Sequence, residues 1–397
     1  MIGANKIQPI HPFAARMAPE IAFEALNGIP KGSLILDPMS GSGTVLRTVS
    51  EYGYRGLGLD VDPLSILMSK VWTSAINPDV LRRLSEIVIK RAQLLRLHDF
   101  NLAWIDRDSE TREFIEFWFA RPQIRSLRKL SYILHYMSGP YSDALRICLS
   151  KLIITKNRGA SLAADVSHSR PHRVRKENDF DVIFEFQKSC QTLAKLLETQ
   201  KPVGNVEVRL GDARMLNGVK SNTIDGIITS PPYLNALDYM RGHKLALVWL
   251  GYQIGELGLI RSGSVGAERA PNPRADMTLV TKITAGMKNL EQLPMRTQNM
   301  IFRYALDIHA IMKEAARVLK DKGRATFVVG NSTLQGIYVE NTMIVNNGAS
   351  LFGLELVNEI MREIPETRRY LPPPTSEKVS TFKSRMRTES ILTYLKN

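Results

Sequence analysis

The sequence predicts an α/β protein built on a doubly wound, mostly parallel twisted sheet, and three observations carry that prediction. Two short apolar runs far apart in the chain, Ser33-Leu34-Ile35-Leu36 and Gly226-Ile227-Ile228, each end in a loop of small or ring-constrained residues, as buried parallel strands do at their carboxyl ends. The first loop leads into helical periodicity and then a second apolar run, the β-α-β-α opening of such a sheet. Between Asn77 and Gln200 the pattern changes to helical spacing throughout.

The first strand ends in Asp37-Pro38-Met39-Ser40-Gly41-Ser42-Gly43-Thr44 and feeds a helix over about Gly43 to Glu51. Gly56-Leu57-Gly58-Leu59-Asp60 makes the second strand, and Pro63 opens the second helix, where a residue without an N–H loses nothing. Val80, Leu81, Leu84, Ile87, Val88, Leu94 and Leu95, then Phe114, Ile115, Trp118 and Phe119, recur at helical spacing. Residues 77–200 are therefore expected to form a helical insertion, with 1–76 and 201–397 as one catalytic domain. Within the insertion Lys156 to Lys176 is polar and aperiodic, and reads as a loop or flexible arm. The sheet resumes with Val206 to Leu210, Asp225 to Thr229 and Arg324 to Gly330. A helix over about Gln298 to Leu319 carries Ile301, Tyr304, Ala305, Ile308 and Ile311 on one face. Leu354 to Arg362 and Glu389 to Tyr394 predict a closing antiparallel hairpin, and Trp104, Trp118 and Trp249 are expected as core or helix-packing residues, not base-stacking platforms.

At 397 residues and 44% hydrophobic the chain can bury a substantial core. Its net charge of +14 suits a polyanionic partner without dictating a fold. Cys148 and Cys190 are the only cysteines, which argues against a disulfide framework or a cysteine zinc site and suits reducing cytosol. His11, His243 and His309 lack ligand spacing, so no metal is expected. The start, Met1-Ile2-Gly3-Ala4-Asn5-Lys6, has no apolar signal core, and no apolar run approaches the roughly 18–20 residues of a membrane span. A cytoplasmic protein with no membrane partner is the expectation.

Open α/β sheets bind ligands at their carboxyl edge, where the loops lie. Gly41 and Gly43 let backbone amides approach a ligand, flanked by Asp37, Met39, Ser42 and Thr44. Asp60 lies where Rossmann-like folds hydrogen-bond a ribose. Asp212, in Gly211-Asp212-Ala213-Arg214 after the next strand, can accept from an adenine amino group with Ala213 beside it. Taken together these partners suit S-adenosylmethionine. Singly each has a plainer use: glycine turns permit helix-sheet packing, and aspartates cap helices or sit in turns.

Thr229-Ser230-Pro231-Pro232-Tyr233 is more specific. The lone pair of an exocyclic amino nitrogen on cytosine or adenine is delocalised into the ring, so a catalyst gains by directing both amino hydrogens toward fixed acceptors. The Ser230 hydroxyl and the Pro231 carbonyl can be those acceptors. Pro231 and Pro232 restrict the backbone, and Tyr233 offers a stacking face to a base removed from its helix. The plain alternative is a strand terminator. Neither cysteine lies near these loops, which argues against ring-carbon methylation through a thiolate adduct. Arg158, Arg170, Arg173, Arg175 and Lys176 could neutralise phosphates of nucleic acid, with His168 as a neutral donor. Arg368, Arg369 and Tyr370 before Leu371-Pro372-Pro373-Pro374 form a second basic patch.

These residues closely resemble the amino-methyltransferases of DNA, the family modifying cytosine N4 or adenine N6. Asp37 to Thr44 is similar to that family's Asp-Pro-Phe-x-Gly-x-Gly-Thr cofactor loop, with Met39 in place of phenylalanine. Gly58 to Pro63 is similar to its ribose-binding strand end, and Thr229 to Tyr233 to its catalytic loop. His11-Pro12-Phe13-Ala14-Ala15-Arg16 resembles the segment covering the methionine end of the cofactor, with Arg16 replacing lysine, so the resemblance adds Phe13 and Arg16 to the cofactor set. Tyr233 to Tyr239, Val328 to Ser332 and Arg385 to Glu389 also look familial, while the likeness thins across the insertion. The resemblance implies a Rossmann-like S-adenosylmethionine-dependent methyltransferase fold, double-stranded DNA as substrate, a recognition region within the insertion, and restriction-modification as a setting with a partner restriction endonuclease. Serine at the first catalytic position is found chiefly in cytosine N4 enzymes, which makes N4-methylcytosine the implied product. Adenine N6 methylation, an RNA or protein amino-methyltransferase, and a catalytically idle nucleic-acid-binding protein are the alternatives.

Overall fold

The computed structural model describes residues 7–155, 158–164, 171–200, 202, 204–234, 238–267, 276–364 and 388–397. Seven strands share one sheet: β1 (Leu34–Asp37), β2 (Arg55–Asp60), β3 (Val206–Leu210), β4 (Ile224–Thr229), β5 (Leu319–Gly330), β6 (Leu354–Glu363) and β7 (Thr388–Lys396). Their order is β6-β7-β5-β4-β1-β2-β3. The pairs from β3 through β5 are parallel, whereas β7 runs antiparallel to both β5 and β6. The chain therefore moves outward from β1 to β3, then returns to β4 on the opposite side. That reversal makes a crevice between the carboxyl ends of β1 and β4, where Ile35 lies beside Gly226 and Leu36 beside Ile227.

The central strands are continuous apolar runs because both of their faces are covered. Ile35 and Ile228 pack with Ala22, Val45 and Val49 from the helices Pro19–Ala25 and Thr44–Glu51. Leu36 and Ile227 point the other way, onto Ile301, Tyr304 and Ile308 of the helix Met295–Val318. The period-two alternation of strands and the 3.6-residue period of helices thus meet in two cores, one on each side of the sheet.

Between Asn77 and Gln200 lie the helices Pro78–Leu94, Ala103–Asp106, Ser109–Trp118, Arg121–His135, Pro140–Ser150 and Val182–Thr199. Their apolar faces join Leu64, Met68 and Trp72 of the helix Pro63–Thr73, and Leu245, Leu247 and Trp249 from the helix Tyr239–Leu247 and its end, in one cluster. The insertion extends the helical layer beside the sheet.

Two expectations are corrected. Part of the stretch expected to be a loose arm is packed: Ala160, Ser161, Leu162 and Ala163 are buried, and the Asn178 amide donates to the carbonyls of Gly159, Ala160 and Ser161. A side chain at Gly159 would lie 2.8 Å from the Leu152 carbonyl oxygen, so these small residues bury backbone, which a search for apolar period overlooks. Ala163–Ala164 also pairs with His172–Arg173. Secondly, β5 begins at Leu319 instead of Arg324, because Leu319 already pairs with Ile224 and the polar turn after it, with Lys322 at a left-handed φ of 61°, is absorbed as an irregularity. The closing hairpin forms as expected, from β6 and β7. Among the described residues no helix is long and apolar enough to cross a membrane.

Candidate active site

The carboxyl ends of β1 and β4 are joined by a hydrogen bond from Thr229 Oγ1 to Asp37 Oδ1 of 2.8 Å. Above them opens a cavity of about 480 Å³, within the roughly 300–1,000 Å³ of small-molecule sites. It brings together Phe13, Arg16, Asp37, Met39, Gly41, Ser42, Thr44, Asp60, Asp212, Ala213, Ser230, Pro231, Pro232 and Tyr233. Gly43 is the member of the expected set that does not line it. At φ +85° it precedes the helix Thr44–Glu51, and a Cβ there would lie 2.8 Å from Ser69 Cα, so its bareness serves helix packing. Gly41, at φ +49°, donates its N–H to Asp60 Oδ2 at 2.8 Å. The Phe13 ring closes over Gly41 so tightly that an added Cβ would meet it at 3.1 Å.

Asp60 and Asp62 divide two tasks. Asp62 caps the helix Pro63–Thr73 by accepting from the Leu64 N–H at 2.8 Å, and its other oxygen is held by His243 Nδ1. Burial works to raise the Asp62 pKa, but His243 and the backbone donors more than offset it and hold the carboxyl below its usual range. Asp60 is thereby spared from capping and faces the cavity, taking one N–H on each oxygen, from Gly41 at 2.8 Å and from Asp62 at 2.9 Å. Burial, with the neighbouring charge of Asp62, pushes Asp60 up to about 7. Asp37 is likewise pushed up to about 7 by burial, with Asp60 adding to the effect. Asp212 is an ion-paired turn residue: Arg214 bonds it through its backbone N–H at 2.9 Å, Nε at 2.9 Å and Nη2 at 2.6 Å. Burial opposes ionisation of Asp212, yet Arg214 outweighs it and lowers its pKa. Arg214 continues to Asp307 at 2.8 Å and to the Gly263 carbonyl at 2.7 Å.

Ser230 is half-buried on the cavity wall and donates its hydroxyl to the Val328 carbonyl of β5 at 3.0 Å. The Tyr233 hydroxyl lies 3.4 Å from Ser230 Oγ and 3.4 Å from Glu389 Oε2 on β7, and Glu389 pairs with Arg362 of β6 at 2.9 Å. Burial, with the Glu389 charge, raises the Tyr233 pKa and keeps the phenol protonated. Ser332 donates to the Leu234 carbonyl at 2.9 Å. The loop is thus anchored on β5 and β7 together.

Sequence reasoning missed His243 and Arg261 as neighbours of this site, and placed Asp62, Asp238, Tyr239 and Glu389 only within stretches that resemble the family, with no role of their own. Asp62 before Pro63 carries a helix N-cap signal that was there to read. Tyr239 stacks on Phe13 with centroids 4.8 Å apart and planes 14° apart, a contact across more than half the chain that leaves no local signal. The expected nucleic-acid contacts lie away from the cavity. Arg158 pairs with Asp179, Arg173 sits 4.9 Å over the Phe117 ring, and Arg173 and Lys176 are exposed. None of these, nor Arg175, lines the cavity. His168, Arg170, Arg368, Arg369, Tyr370 and Arg385 to Arg387 fall outside the described residues.

A doubly wound sheet with one antiparallel insertion next to β5, opening at its switch point onto this cavity, defines the class as a Rossmann-like α/β fold. No family model matches the chain. It is similar over nearly its whole length to Type II methyltransferase M.MvaI of Kocuria varians, 22% identical over 416 residues covering 98% of this chain and 90% of that protein. It is also similar to Type II methyltransferase M.BsoBI of Geobacillus stearothermophilus, 25% identical over 277 residues, 62% of this chain and 54% of that protein. Of solved structures, a SAM-dependent methyltransferase of Methanosarcina mazei aligns over 93% of this chain and 95% of its own, at 9% identity and a TM-score of 0.34.

Proposed function

We propose that the protein is a DNA amino-methyltransferase that transfers a methyl group from S-adenosylmethionine to the exocyclic amino group of a base everted from duplex DNA, with cytosine N4 as the target. One observation carries this reading: the Ser230-Pro231-Pro232-Tyr233 loop and the Gly41 loop open into the same cavity. The similarity to Type II methyltransferases agrees with it. S-adenosylmethionine, when bound, supplies a methyl group on a positively charged sulfur.

The residues present fit that cofactor. Asp60 has one N–H on each oxygen and lone pairs remaining for a ribose diol. Gly41 leaves just the space that Phe13 needs to close the pocket. Asp37 and Asp60 supply negative charge to a cationic ligand, and Ala213 lays an apolar surface beside Asp212. Asp212 shares its carboxylate with Arg214, so an adenine amino group would compete for its remaining lone pairs.

Ser230 donates its O–H to the Val328 carbonyl, which leaves the hydroxyl lone pairs to accept one amino hydrogen, while the Pro231 carbonyl accepts the other. Two fixed acceptors favour a pyramidal nitrogen whose lone pair points at the methyl group, and in-line transfer then needs mainly alignment. The methylated nitrogen loses its extra proton to water. Tyr233, tethered through its hydroxyl, presents its ring to the base. Residues 1–76 and 201–397 form the catalytic unit, and 77–200 reads DNA, with Arg158, His168, Arg170, Arg173, Arg175 and Lys176 on phosphates.

Incubation with methyl-labelled cofactor should mark duplex DNA, and digestion to nucleosides should release N4-methylcytosine. N6-methyladenine alone would overturn the base assignment, and label in RNA or protein alone would overturn the substrate class.

A further inference from the structure

Beside the catalytic loop three cations gather around one carboxylate. Asp238, which precedes the helix Tyr239–Leu247, accepts on the same oxygen from Arg261 Nε at 2.6 Å and lies 3.1 Å from Arg241 Nε. Lys244, a turn further on, holds its ammonium 5.1 Å over the Phe114 ring. Burial lowers the Lys244 pKa, and Arg261 and Arg241 lower it further, against the opposing charges of Asp238 and Glu110. Three cations thus share the surroundings of two carboxylates, Asp238 and Glu110.

Its place decides what it is for. Asp238, Arg241 and Arg261 are on the cavity wall with Ser230 and Tyr233. Arg241 and Arg261 side chains are 37% and 43% exposed, and each meets Asp238 through Nε, so the terminal nitrogens of both forks are not spent on that carboxylate. Arg214, in the same cavity, is the contrast: its guanidinium is consumed by Asp212, Asp307 and the Gly263 carbonyl, and its role is structural. An everted nucleotide stays tied to its duplex by the sugar-phosphate backbone, which must cross the mouth of the pocket. Guanidinium forks match phosphate oxygens in geometry as well as charge.

Resting on the proposed reading of the site, we infer that Arg241 and Arg261, with Lys244 behind them, bind the phosphodiester backbone flanking the everted nucleotide, and that Asp238 holds the two guanidinium groups in position. The clamp is separate from the basic stretch around Arg173 and Lys176.

The test is equilibrium binding of a DNA duplex that the wild type methylates to the full-length chain across a range of salt, for the wild type, Arg241→Gln, Arg261→Gln and Arg261→Lys. Each glutamine variant should weaken binding roughly ten-fold and flatten the dependence of log K on log salt by about 0.9 for each phosphate no longer neutralised. Arg261→Lys should restore the slope, because it keeps the charge. Cofactor affinity and melting temperature, measured alongside, report whether the variants fold. Glutamine variants with the wild-type slope overturn the inference, whether or not they melt early, since early melting with an unchanged slope means a tie between helices. A slope equally flat in Arg261→Lys overturns the phosphate assignment too. Wild-type protein that binds and methylates no duplex overturns the proposed function itself, and this inference with it.

Discussion

Asp37 and Asp60 face one cavity, each pushed up to about 7, mainly by burial. A carboxyl raised in the folded state keeps a proton that the unfolded chain has already lost, so it stabilises the fold at low pH and that stabilisation is lost as pH rises through the folded value. The cofactor-free protein should therefore melt at falling temperature as pH rises from the unfolded value of 3.8 to the folded value of about 7, with the steepest loss between the two and a levelling above 7. Affinity for the cationic cofactor should move the other way and strengthen over the same range, as calorimetric titration would show; affinity independent of pH would remove both carboxylates from the cofactor's surroundings. Asp60→Ala should weaken cofactor binding by at least ten-fold, about the cost of one lost charge-assisted bond. At this scale the sequence was most readable where chemistry and spacing coincide, as in Ser230 to Tyr233. It was least readable where a role is relational. Nothing local says that Asp62 takes the cap and the histidine so that Asp60 can face the cavity, or that Gly41 and Gly43, two positions apart, serve a ligand pocket and a helix contact respectively.

Elements impose their own tests. Gly43 combines φ +85° with a 2.8 Å approach to the Ser69 backbone, so Gly43→Ala should destabilise the fold by about 1–3 kcal/mol, measured by urea unfolding. The β6–β7 hairpin reaches the Ser230–Tyr233 loop through Arg362, Glu389 and Tyr233. Glu389→Gln should lower kcat roughly five-fold while leaving cofactor Kd unchanged, the signature of a positioning residue. A changed Kd with normal kcat would place Glu389 elsewhere. Apolar runs bounded by loops located the central strands β1, β2, β4 and β5, because burial on both faces writes itself into a continuous pattern, whereas the edge strands β3 and β6 are largely exposed. The Ala160–Ala163 segment escaped because its burial rests on small residues and on the Asn178 amide, which carry no period.

For the whole molecule, strand order was legible only as far as β-α-β-α requires; the closing antiparallel hairpin could be read from its two runs, but its docking on β5 and the switch between β1 and β4 follow from where the later strands pair. The insertion shares one core with the helix Pro63–Thr73 and with Leu245 and Trp249. Deleting 77–200 should therefore expose that apolar face and abolish cooperative unfolding, and a deletion variant with a sharp melt would show the catalytic part to be self-sufficient. The proposed chemistry rests on the Ser230 loop acting on a substrate held against the cofactor loop. Single-turnover methylation of duplex DNA by Ser230→Ala, with cofactor affinity measured in parallel, tests this most directly. The expected result is a transfer rate lowered by on the order of 100-fold with cofactor affinity retained; a wild-type rate, or loss of cofactor binding as the sole defect, would contradict it.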